Sequence, residues 1–318
     1  MSLRALVAAL GGDLYNGGAR ASIPAPGHSA DDRSVSLLLT EGRVVIHGFG
    51  GADWRTARDD LRAKGFIDEA GRLTGGGQGG VSTPRPDLRV RRETAARLWA
   101  GHVALQPDDP ANRHLNRRAI RAGRSGLNLG FHPQAPVSVY REGGRTRPAL
   151  LARISDDDDR LTAVEITYLD PNGRAATDLW LVRKTVGQVP PGAAVRLFPA
   201  AERMLVAEGV ATTLSASERF GLPGWALLAA NNLAVWSPPS IVRHVLIAAD
   251  RGQVGQDAAS RLRRRLLAEG LRVRVVWPGP PFGDWNEVAV AAAKGRREGA
   301  EGRRSGEDEP RRPAGETS

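Results

Sequence analysis

The sequence predicts an α/β protein: a parallel sheet flanked by helices, preceded by a mixed α+β domain and a small amino-terminal module. Three observations carry this. Two short apolar runs, Met204-Leu-Val-Ala207 and Val245-Leu-Ile-Ala-Ala249, have the length of buried strands, and each ends directly in an acid, Glu208 and Asp250. From residue 204 to about 294 such runs alternate with helical stretches, the pattern of right-handed crossovers between parallel strands. Gly/Pro clusters divide the rest into separate pieces.

Composition sets the outer limits. The chain has 318 residues, 41% of them hydrophobic, which suffices for two or three small domains with real cores. Its formal charge is +10, supplied almost wholly by arginine, and this balance favours polyanions, above all nucleic acid. The plain alternative is solubility or a GC-rich genome. There are no cysteines, which excludes disulfides and thiolate zinc sites. With no apolar run near the ~20 residues of a membrane span and no basic-then-apolar leader, the expected location is the cytoplasm, with no membrane partner.

Residues 1–73 hold a short helix, a turn at Pro24-Ala-Pro-Gly-His28, strand-like runs at 34–40 and 43–47, and a helix over 54–64. Residues 74–86, beginning Thr-Gly-Gly-Gly-Gln-Gly-Gly80, read as a flexible linker. In 87–200 the periodicity predicts helices over 93–104 and 112–121, then strands at 137–141, 150–154, 163–169 and 180–182, with Asp170-Pro-Asn-Gly173 as a hairpin turn. The parallel sheet occupies 201–294. The tail, 295–318, is charged and Gly/Pro-rich and is expected to be disordered.

Glu208, Asp250 and the later Gly283-Asp284-Trp285-Asn286-Glu287 therefore fall at the carboxyl edge of one sheet, where open α/β folds place their chemistry. Acids converging with no base nearby in sequence suggest a divalent cation. The bland alternative is that each acid caps the helix that follows it.

These residues carry a family resemblance. The segment from about 202 to 293 resembles a Toprim domain, the metal-binding fold shared by bacterial-type primases, type IA topoisomerases and some nucleases. Glu208-Gly209 is similar to that family's glutamate motif, Asp250 to the first acid of its Asp-x-Asp motif, and Asp284-Trp285-Asn286-Glu287 to its late acidic motif. The whole chain resembles primase-like Toprim proteins of bacterial plasmids and phages, with Leu129-Gly-Phe-His-Pro133, Pro148-Ala-Leu-Leu151 and Thr167-Tyr-Leu-Asp-Pro-Asn-Gly173 in family order. The resemblance implies Mg2+ or Mn2+ held by Glu208, Asp250 and Asp284, with Glu208 and Asp250 catalytic and Glu208 alternatively a general acid or base.

The chain departs from the family in two places. At Asp250-Arg251-Gly252 the second aspartate is missing and a guanidinium intervenes, which weakens the cation site and leaves Arg251 to face a phosphate; Asp257 lies too far along to compensate, and Thr212 stands where some primases have another acid. At the amino terminus the family resemblance is to a primase zinc ribbon, but Ala25-Pro-Gly-His28 and Gly48-Phe-Gly-Gly-Ala52 keep only His28 of four ligands, with His47 nearby. The expectation is a ribbon-like module without zinc, held by packing of Phe49, Trp54, Leu61 and residues 44–46 alone.

At helical spacing Arg113, Arg117, Arg121 and Arg124 share one face, a ridge suited to phosphates, or else a solvated surface. The expected ligand is single-stranded DNA or another nucleic acid. No Gly-x4-Gly-Lys-Ser/Thr motif occurs, so unwinding would fall to a separate helicase. Three functions stay open: primase-like nucleotidyl transfer in replication or transfer of a mobile element, metal-dependent nuclease or strand-cleaving chemistry, and a catalytically silent nucleic-acid-binding module.

Overall fold

The structure is a computed structural model and describes residues 2–15, 18–28, 32–49, 52–74, 86–121, 128–140, 143–179 and 181–307, with side chains to 296. It divides into two compact units, Met1–Arg85 and Pro86–Ser318. The linker expected at 74–86 lies almost wholly outside the described residues.

The first unit is a four-stranded antiparallel sheet covered by two helices. Helix α1 (Leu3–Leu10) starts at Ser2, whose hydroxyl accepts the Ala5 N–H, and buries Leu3, Leu6 and Val7. Strands β1 (Asp13–Tyr15), β2 (Arg20–Ile23), β3 (Val35–Thr40) and β4 (Arg43–Gly48) pair in sequence order. In β3 strict alternation sends Val35, Leu37 and Leu39 inward. The β3–β4 turn is Glu41-Gly42, both at positive φ, which fits the right-handed twist of a two-residue hairpin. Helix α2 (Trp54–Ala63), capped by Asp53, closes the core with Ala57 and Leu61.

Two aromatics expected in this core are not there. Phe49 and Trp54 are 54% and 38% exposed. Phe49 follows the last strand and meets His47 edge-on, while Trp54 opens α2 and lies under the guanidinium groups of Arg55 and Arg58. Leu3, Leu6, Leu37 and Leu61 form the core instead. Where the resembling family has metal ligands, the Asp32 carboxylate gathers the neighbouring groups: it accepts the Ala25 N–H (2.8 Å) and the Ser34 hydroxyl (2.5 Å) and sits 3.2 Å from His28 Nδ1. At Gly48 a Cβ would lie 1.9 Å from the Ala52 carbonyl oxygen, so this backbone accepts no side chain there.

The second unit opens with α3 (Leu88–Ala100), capped by Asp87, and α4 (Pro110–Arg117), capped by Asp109 with proline at its first turn. Strands β5 (Leu129–Pro136), β6 (Thr146–Ser155), β7 (Leu161–Tyr168) and β8 (Arg183–Gly187) form an antiparallel sheet in sequence order. The turn at 170–173 is present, with the Asp170 carboxylate accepting the N–H groups of Asn172 and Arg174 and Gly173 at φ 77°. The expected strand at 137–141 is displaced: pairing runs through 129–136, because the apolar Leu129 and Phe131 alternate against β6. Likewise β8 starts at Arg183, just past the expected 180–182.

Then come β9 (Val195–Arg196), β10 (Arg203–Ala207), α5 (Val210–Phe220), β11 (Gly224–Ala226), α6 (Ala230–Val235), β12 (His244–Ala248), α7 (Gln253–Ala268), β13 (Arg272–Val276) and α8 (Trp285–Glu307). The sheet order is β13-β12-β10-β11-β9, parallel except for β9. Helix α8 continues past Gly295, where disorder was expected to start, in keeping with the helix-forming Ala, Arg and Glu of its sequence.

The two sheets of this unit share a core. Leu150, Ala152 and Ile154 of β6 cluster with Leu115 of α4, Val210 and Leu214 of α5 and Ala226 of β11. Residue 200 is thus no break in packing, and β9 passes from the antiparallel layer into the parallel sheet.

Helix α4 ends in a Schellman motif. The Ala119 N–H bonds the Asn116 carbonyl (3.0 Å), the Ile120 N–H bonds the Leu115 carbonyl (3.0 Å), and Ile120 and Leu115 share the core. The motif needs a left-handed residue at 119, where this chain has alanine at φ 55°. Ala119→Gly relieves that strain and should stabilise the protein by about 1 kcal/mol in urea unfolding; a destabilised variant would show that the turn is not built this way.

Candidate active site at the edge of the parallel sheet

Strands β10 and β12 are adjacent and in register, Ala207 opposite Ala248, so Glu208 and Asp250 leave the sheet at the same edge about one strand spacing apart. The Asp284 segment is tied beside them by backbone: the Arg251 N–H donates to the Gly283 carbonyl (2.7 Å). Beneath the loop Trp285 is buried against Leu205, Ala207, Leu246 and Ala248 and meets Phe220 edge-on at 5.1 Å. It is a core anchor.

The charges of these acids act on one another. The Asp250 carboxyl is pushed up to about 7, first by burial and then by the negative charges of Glu208, Asp284 and Glu287. Its Oδ1 is buried with no hydrogen-bond partner among the described residues. Glu208 is also raised by burial, against the pull of the Arg183 charge and of the Ala230 N–H that donates to its carboxylate. Leu228, at φ 69°, donates its N–H to the Glu208 carbonyl (2.7 Å) and turns the chain back toward Ala230.

Asp284 and Glu287 also do what the bland reading assigns to such acids. Asp284 Oδ1 accepts the Glu287 N–H (2.8 Å), and Glu287 Oε2 accepts the Gly283 N–H (2.7 Å), a reciprocal cap on α8. Among the described residues no three His, Asp or Glu side chains are placed to hold a metal ion together. The residues fit a cation held by one or two carboxylates, Asp250 foremost, with other oxygens from water and phosphate. They do not fit a closed cage. At Gly252 the space for a side chain is open, but φ is 137°, a conformation L residues rarely adopt, so restoring the second acid there would strain the backbone. Asp257, on α7, accepts from Gln253 instead (2.9 Å).

The arginine ridge is not formed as expected. Helix α4 stops at Arg117, so Arg121 is off its face, and Arg124 lies outside the described residues. Arg113 and Arg117 donate to the Pro171 and Asn172 carbonyls of the 170–173 turn (3.0 and 3.3 Å). Arg121 and Arg251 are exposed, with no partner for their guanidinium groups among the described residues.

Three contributors were not assigned from sequence. Arg183 on β8, 4.0 Å from the partly buried Glu165 of β7, brings positive charge to Glu208 from the facing sheet. Arg118 and Asn286 bond each other. Only the sheet register, which places Arg183 opposite Thr167 and on the same side as Glu165, reveals the first.

Comparison with known families finds two matches, a domain of unknown function (DUF7146) over residues 89–197 and the Toprim domain over 203–295. Residues 203–295 are a Toprim domain. Glu208, Asp250 and Asp284 all lie within it, and the first match covers α4, the antiparallel sheet and Arg183. No curated protein matches the chain. Among solved structures it is similar to the zinc-binding and RNA polymerase domains of the Aquifex aeolicus primase, at 15% identity over 90% of this chain and 79% of that one, TM-score 0.43. It is also similar to the primase fragment of the bacteriophage T7 primase-helicase, at 16% identity over 85% and 94%, TM-score 0.37. A third is the DnaG primase catalytic domain bound to single-stranded DNA, at 16% identity over 66% and 81%, TM-score 0.45.

The raised Asp250 carboxyl has a pH signature. The folded state binds this proton more tightly than the unfolded chain does, so its contribution is fully favourable below about 3.8 and is lost as pH rises toward about 7. Asp250→Asn escapes the loss. Its stability relative to wild type should grow between pH 4 and pH 8 by roughly 4 kcal/mol in urea unfolding, and an unchanged gap would show that Asp250 is not buried among like charges.

Proposed function

We propose that this chain is a primase-like protein that acts on nucleic acid by cation-dependent nucleotidyl transfer, in replication or transfer of a mobile element. The observation that carries the reading is the Asp250 carboxylate at the Toprim sheet edge, with a buried oxygen that has no partner among the described residues and three other acids around it. Glu208, its proton held more tightly than usual by burial, serves as general acid or base. Asp250 and Asp284 provide oxygens toward Mg2+ or Mn2+, which when bound supplies charge neutralisation on the reacting phosphate. Arg183 faces Glu208 from the antiparallel sheet and keeps the cleft from being purely anionic.

Arg251 and Arg121, with Arg113 and Arg117 beyond them, take the phosphates of a single-stranded DNA or other nucleic-acid strand. Strand unwinding belongs to a separate helicase. Among the described residues no helix is long and apolar enough to cross a membrane.

Primer synthesis from nucleoside triphosphates on a single-stranded template, run beside cleavage of the same strand, tests the proposal. Wild type should make primers with Mg2+ or Mn2+, Asp250→Asn should make none, and neither should cut. Cleavage without synthesis would assign the acids to a nuclease, and strand binding without either reaction would make the chain a silent binding module. Arg121→Ala with Arg251→Ala should flatten the salt dependence of strand binding by about one to two units of log-log slope.

A further inference from the structure

Arg118 stands just beyond α4 in sequence, 90 residues before the first acid of the site, yet it reaches into the late acidic motif. Its Nη1 donates to Asn286 Oδ1 (2.9 Å). Asn286 Nδ2 returns one bond to the Arg118 carbonyl (2.8 Å) and one to Ser215 Oγ on α5 (3.0 Å). The Asn286 amide is 4% exposed, so each of these bonds replaces one to water that burial has removed. The same stretch is fixed a second time where the Arg121 N–H donates to Glu218 on α5 (3.1 Å).

Asn286 lies between Trp285, the anchor in the core, and Glu287, the cap of α8. Whatever fixes its side chain fixes the backbone that carries Asp284 and Glu287, two of the three acids whose charge reaches Asp250. Their mutual repulsion tends to push that loop away from the sheet edge, so it needs a tie on its far side. The Schellman turn at Ala119 aims the Arg118 carbonyl and guanidinium at Asn286 together, and the remaining donors of Arg118 have no partner among the described residues.

From this geometry we infer that Arg118 is a positioning residue for the cation site, acting through Asn286 to hold the late acidic loop against Asp250. It couples the segment after α4, in the region matching the domain of unknown function, to the chemistry of the Toprim domain. This rests on the reading of the acids as a cation site.

The test is Mn2+ uptake by the full chain, read from the electron paramagnetic resonance signal of free Mn2+, with a single-stranded oligonucleotide present. Arg118→Ala and Asn286→Ala should each weaken uptake about tenfold, the usual effect of losing a partner that orients a ligand. The double variant should be no worse than Asn286→Ala alone, because the Arg118 guanidinium acts only through that amide. Arg118→Lys, which keeps one donor for Asn286 Oδ1, should recover most of the affinity, whereas a purely structural role would show lysine and alanine alike. Oligonucleotide binding in chelator should stay at the wild-type level in all four variants. Wild-type uptake in every folded variant, or additive losses in the double variant, would overturn the inference. If wild type itself takes up no Mn2+ beside the strand, the cation reading fails first and the inference falls with it.

Discussion

The rest of this structure is arranged around a repulsion. Raising a carboxyl from 3.8 to about 7 corresponds to roughly 4 kcal/mol of differential cost for the charged form, a large part of the 5–15 kcal/mol that keeps a typical domain folded. Burial is the largest cause and three neighbouring acids add to it, so nothing at Asp250 itself explains why the group stays where it is. The surroundings do. In-register pairing of β10 with β12 fixes Glu208 and Asp250 at one edge, the Arg251–Gly283 backbone bond fixes the late loop beside them, and Trp285 fastens that loop to the core.

Positive charge reaches this acidic edge from outside the Toprim domain. Arg183 approaches Glu208 from the antiparallel sheet, and Arg118 holds Asn286 from the segment after α4. Both depend on the core shared by the two sheets, in which β6 packs on α5 and β11. The domain of unknown function and the Toprim domain therefore share one core, and a cut between them would take Arg183 away from Glu208 and Arg118 away from Asn286.

The sheet and its acids were legible in the sequence because buried parallel strands leave a plain signal, here an apolar run closed by an acid. Glu208 and Asp250 follow such runs without ambiguity. Helix ends were less legible: α4 reads as continuing to 121 because its arginines keep helical spacing, and only the left-handed Ala119, a residue with no turn signal, shows that it stops. Phe49 and Trp54 were misplaced for a related reason, since aromatic residues say nothing about which face of a short element they occupy. Arg183, Arg118 and Asn286 could not be read, because their partners lie 25, 168 and 168 residues away and only tertiary packing brings them together.

The central claim is that the Toprim edge is a cation site built on Asp250 and completed by phosphate oxygens. The most direct measurement is anomalous scattering from crystals grown with Mn2+ and a single-stranded oligonucleotide. The account predicts one strong peak within coordination distance of an Asp250 oxygen and of a strand phosphate, with Glu208 alongside, and a much weaker peak without the strand. A peak equally strong in the absence of nucleic acid and enclosed by protein side chains, or no peak at this edge while the strand is bound, would contradict it.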